Sequence, residues 1–172
     1  MSTLAIALMC FVLVYIGFLV FASKRHNKSF VLEKINTVNF GSPRQGAKIS
    51  TVVLSNDEGV KEAGLFVAGF DYVRKHAVDN TETFPLTISD VNGAIAILKQ
   101  GGPFTLNLGT KNQFSLKVTP SSQLAILTIR NNAILKNTFR IEYDDAKLKE
   151  LLAAFENLIT TDKVDLKLNI AL

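Results

Sequence analysis

The residues of this chain that could do chemistry are few and scattered. Residues 41–48, GSPRQGAK, come nearest to a phosphate-binding loop. Such a loop needs its lysine directly after the last glycine and its backbone amides opening onto a helix N-terminus. Here Ala47 separates Gly46 from Lys48, and the ISTVVL that follows is strand-like, so a surface turn is expected. There are two histidines, His26 among basic residues and His76 after Arg74-Lys75. Neither stands near a serine or cysteine elbow, and the only thiol, Cys10, lies in an apolar run, so no nucleophile and base pair emerges. Acidic pairs occur at Asp57-Glu58 and Asp144-Asp145, where a turn and a helix start account for them. No His, Cys or carboxylate cluster has metal-ligand spacing. The expectation is therefore no catalytic residue, no metal, no cofactor, no small-molecule substrate and no enzyme.

The elements that would position any site begin with a membrane segment. Of the 172 residues 48% are hydrophobic, an average over two different materials. Residues 3–22, TLAIALMCFVLVYIGFLVFA, carry no charge, and as a helix they would be about 30 Å long, the thickness of a bilayer's hydrocarbon core. Lipid offers the backbone no hydrogen-bond partner, so a helix is the expected state. A cleaved signal peptide would need a basic start and a shorter apolar stretch. Val20 and Ala22 would suit its cleavage site, but only Met1-Ser2 precede the run. Met9 before Cys10 is too bulky for a lipoprotein signal.

The formal charge of +4 hints at nucleic acid until it is located. Lys24, Arg25 and Lys28, just past the apolar run, account for three of those four charges. They are the expected membrane-surface contacts, and by the positive-inside rule they place the N-terminus outside and the following domain on the cytoplasmic or particle-interior side. The expected organisation is an anchor with its basic flank over residues 1–28 and one soluble α+β domain over 29–172. With no cysteine in that domain, a structural disulfide is excluded there.

Within the domain, residues 29–40 read as an extended lead-in, and 49–54, 65–73 and 84–88 as strands. The run at 65–73, LFVAGFDYV, is apolar on both faces, the pattern of a buried central strand. Ser89-Asp90 then caps a short helix carrying Val91, Ala94, Ile95 and Leu98, which Gly101-Gly102-Pro103 ends. Four more strands are expected at 104–108, 114–118, 124–130 and 139–143. A second helix from Asp144-Asp145 carries Leu148, Leu151, Leu152, Phe155, Leu158 and Ile159 on one stripe. The alternating run 164–172 would add a terminal strand. The pattern is two successive strand-rich units each closed by a helix, approximately β4α-β4α.

That element order resembles the PUR and Whirly folds, which present a curved sheet to single-stranded nucleic acid. The resemblance covers residues 30–160 and carries no motif residues. It implies an open sheet face with aromatic rings beside cations. In the second unit Phe114, Leu116 and Val118 alternate with Ser115 and Lys117, and Phe139 and Ile141 with Arg140 and Glu142, so the rings phase with the core. Lys117, Arg130 and Arg140 are what that face would offer to nucleic acid. Elimination leaves, as the expected function, a membrane-anchored structural subunit that holds a coat, a capsid layer or a multi-subunit complex to a bilayer through protein contacts. A membrane-tethered binder of single-stranded nucleic acid is the alternative.

Overall fold

The computed structural model describes residues 31–56, 59–73, 78–109, 112–119, 124–131, 135–142 and 145–164. The apolar segment 3–22, Lys24, Arg25, Lys28, both histidines, Cys10 and all but Val164 of the expected terminal strand 164–172 lie outside the described residues. Among the described residues no helix is long and apolar enough to cross a membrane.

The first unit begins with β1 (Val31–Gly41), β2 (Gln45–Ser55), β3 (Lys61–Asp71) and β4 (Val78–Pro85). They form one antiparallel sheet in sequence order. What read as a lead-in is a full edge strand, paired with β2 from Val31↔Ser55 to Gly41↔Gly46. The GSPRQG segment is the hairpin turn between them. Gly41 has φ +77°, Ser42 N–H donates to Gln45 O at 2.9 Å, and the strand that follows rules out a phosphate loop.

The strand expected at 84–88 is displaced. β4 ends at Pro85, Thr87 is the N-cap of α1 (Ile88–Gln100), and the strand occupies the polar VDNTETF before it. Val78, Asn80, Glu82 and Phe84 share its inner face, and the Asp, Thr and Asn content of an edge strand hid the alternation. At the helix start Asp90 N–H donates to Thr87 Oγ1 at 3.1 Å, while Thr87 N–H donates to Asp90 Oδ2 at 2.9 Å. That reciprocal box, rather than Ser89, sets the start.

The second unit repeats the plan with β5 (Phe104–Leu108), β6 (Phe114–Thr119), β7 (Leu124–Asn131), β8 (Leu135–Glu142) and α2 (Asp145–Thr160). The domain is thus α+β, with two four-stranded antiparallel sheets and two helices, in the expected β4α-β4α order. Leu151, Ala154, Phe155 and Leu158 are the buried stripe of α2, whereas Ile159 is 45% exposed.

The helices do not close their own units. α2 lies over β1 and β2, α1 lies against β5, and the two helices touch each other, with Lys99 Nζ 2.8 Å from Glu156 Oε1. The inner faces of the sheets meet directly, β2 against β8 and β4 against β7. One continuous core results, anchored by Phe40, Phe84, Phe114, Phe139 and Phe155, all nearly inaccessible to solvent.

Candidate functional site

Because the inner faces of the sheets pack on each other, the exposed strand positions lie on the outer face of each sheet. Pairing fixes which residues those are. On the first sheet the row Asn39, Lys48, Ala68, Thr81 crosses all four strands, flanked by Thr37, Ser50, Phe66, Thr83 on one side and Gly41, Gly46, Phe70, Asp79 on the other. Ser50, Val52 and Leu54 on this face are buried. Exposure concentrates at the hairpin end, where a groove of about 560 Å³ is lined by Asn39, Lys48, Ala68, Phe70, Tyr72 and Asp79, among others. Small residues open it. Ala68 lines it between Phe66 and Phe70 on β3, and a β-carbon on Gly46 would meet the Phe40 carbonyl oxygen first and then the Phe70 ring, 3.0 Å away.

The groove is aromatic and polar at once. Phe70 and Tyr72 stack with ring centroids 5.7 Å apart, and Tyr72 remains half exposed. The Tyr72 hydroxyl donates to Asp79 Oδ2 at 3.3 Å. Desolvation, then the Asp79 charge and this hydrogen bond, push that hydroxyl above the ordinary tyrosine range. Further along β3, Lys34 Nζ sits 4.6 Å from the centre of the Phe66 ring, a cation–π contact. The face is electrically balanced, since Lys34 and Lys48 share it with Glu62 and Asp79.

Sequence reasoning missed this site. LFVAGFDYV is apolar in both phases, which points to a strand buried on both sides. In the structure Leu65, Val67 and Gly69 face the core, and Phe66, Ala68 and Phe70 face outward and are half-buried. The register that sets Phe66 and Phe70 on the face of Lys48 comes from strand pairing, so no local sequence signal marked the site.

The second sheet differs. Lys117, Ile126 and Arg140 form one row across β6, β7 and β8, and Arg130 stands on the same outer face beside position 136, a lysine. Lys117, Arg130 and Arg140 are exposed, so the three cations expected on an open face do share one. Glu142, paired with the 38% exposed Leu124, is the acidic residue of that face. Among the described residues no aromatic side chain joins them, because Phe114 and Phe139 point into the core, as the alternation predicts. The expected anchor contacts Lys24, Arg25 and Lys28 lie outside the described residues.

Among the described residues no group of three His, Cys, Asp or Glu side chains could hold a metal ion. The chain matches no family model, no curated protein and no solved structure. The likeness to PUR and Whirly folds therefore rests on element order.

Proposed function

We propose that this chain is a membrane-anchored structural subunit, held by residues 3–22 and their basic flank, whose domain grips a protein partner through the grooved face of the first sheet. The supporting observation is the groove itself. It combines half-exposed rings, Phe70 and Tyr72, with hydrogen-bonding side chains, the composition favoured at the centres of protein interfaces. Its charge balance suits a protein surface, whereas a polyphosphate would meet Asp79 inside the groove. In this reading the domain lies on the cytoplasmic or particle-interior side, which protease protection in sealed vesicles tests.

A second reading has one specific observation in its favour. Phe66, Phe70 and Tyr72 stand on an outer face with Lys34 and Lys48, the pairing of rings and cations that single-stranded nucleic acid uses. One experiment separates the two. The full chain, purified in mild detergent, is compared with Tyr72→Ala and Phe70→Ala forms of unchanged stability. A protein partner retained by the parent and lost from the variants supports the structural reading. Salt-sensitive oligonucleotide binding lost from the same variants transfers the face to nucleic acid. Neither result would leave both readings without support.

A further inference from the structure

We propose that the outer face of the second sheet docks on an anionic bilayer surface, laying the domain flat against the membrane that anchors it. The inference rests on the anchor reading for residues 3–22. Three observations carry it. The first is charge complementarity: Lys117 and Arg140 flank Ile126 in one cross-strand row, and Arg130 extends the patch along β7. Against them stands Glu142.

The second is what accompanies the cations. Ile126 is half-buried between Lys117 and Arg140, Leu124 is 38% exposed on the same face, and among the described residues no ring joins them. Cations bind headgroup phosphates, and aliphatic side chains enter the interface beside them. Single-stranded nucleic acid asks for rings beside cations, and among the described residues that pairing stands on the outer face of the first sheet and not on this one.

The third is reach. β1 starts at Val31, nine residues beyond the end of the apolar segment, a span of at most about 30 Å. A tether that short holds the domain at a high effective concentration near the headgroups, where weak contacts count. It also lets the outer face of the first sheet, which points away, stay available to a partner.

The test uses the full chain in nanodiscs of phosphatidylcholine alone or mixed with phosphatidylglycerol, with lysine acetylation rates read by mass spectrometry. Lys117 is the reporter, and Lys48 on the opposite face is the internal control. The expected result is Lys117 acetylation slowed about fivefold by phosphatidylglycerol and restored by high salt, with Lys48 unchanged. Arg130→Glu/Arg140→Glu should abolish the salt-sensitive protection of Lys117 while leaving denaturation unchanged. Equal Lys117 rates in both lipids overturn the proposal. Protection that needs an added single-stranded oligonucleotide overturns it too and assigns the face to nucleic acid. Extraction of the chain by alkaline carbonate would defeat the anchor reading by itself. Flotation with phosphatidylglycerol vesicles then decides the face: floating parent and sinking double variant uphold it, and a sinking parent removes it.

Discussion

Gly69 on β3 lies directly against the ring of Phe139 on β8, with no room between them for a β-carbon. This contact is where the inner face of one sheet meets the inner face of the other. Gly69→Ala must displace a buried phenylalanine or separate the sheets. It should cost about 1–3 kcal/mol, the range for overpacking a close-packed core. Gly64→Ala on the same strand meets side-chain atoms of Leu54 at 2.7 and 2.8 Å, which can rotate away, so it should cost less. Urea denaturation of both variants, with the slope unchanged, measures the difference.

α2 covers β1 and β2 of the first unit, and α1 packs against α2 and β5, so neither unit should fold alone. A chain divided within Gly101-Gly102-Pro103 leaves β1–β4 without α2 and β5–β8 without α1. The separate halves should lack a cooperative unfolding transition, and mixing them should restore one. A cooperative transition in either isolated half would contradict this mutual dependence.

The box between Thr87 and Asp90 satisfies backbone donors at the first turn of α1. Thr87→Ala should therefore cost about 1 kcal/mol, and Thr87→Ser much less, because serine keeps the acceptor oxygen. Ser89→Ala, at an exposed position that read as part of the cap, should be near neutral by the same denaturation measurement.

Glu82 faces inward on the edge strand β4, and its burial raises its pKa above the ordinary 4.5. A carboxyl raised in this way holds its proton more tightly in the folded state than in the unfolded state. Its contribution then falls as pH climbs from about 4.5 through the raised value, and it is most favourable below. Glu82→Gln removes that dependence. The variant should gain stability relative to the parent as pH rises toward about 7, by a small amount because the side chain is partly solvated. Melting temperatures across that interval report the sign.

Glu33 behaves in the opposite sense. The Lys163 ammonium, by hydrogen bond first and by charge second, holds its carboxyl below the ordinary range. Any stability from this contact is present above about pH 4.5 and lost as pH falls through the lowered value. Both side chains are more than half exposed, so Lys163→Met should leave the neutral-pH melting temperature almost unchanged.

Local pattern determined a great deal about this chain. The stripe from Leu148 to Leu158 specified α2, and the alternation at Phe114, Leu116 and Val118 specified both a strand and its buried face. Turn chemistry placed a surface turn at Gly41, and the spacing of elements yielded β4α-β4α, because such signals act over a few neighbouring residues. Lys117, Arg130 and Arg140 could be assigned to one outer face for the same reason: side-chain direction in a strand has period two. What only the tertiary structure decided is which surface covers which. An amphipathic helix announces an apolar stripe without naming the sheet beneath it, so the placement of α2 over β1 and β2 left no local trace. LFVAGFDYV is apolar in both phases, and only pairing with Lys48 and Thr81 on one side, and closure by Phe139 on the other, sorted its rings into groove and core. Contacts between residues far apart in the chain made both decisions, and no short window of sequence contains them.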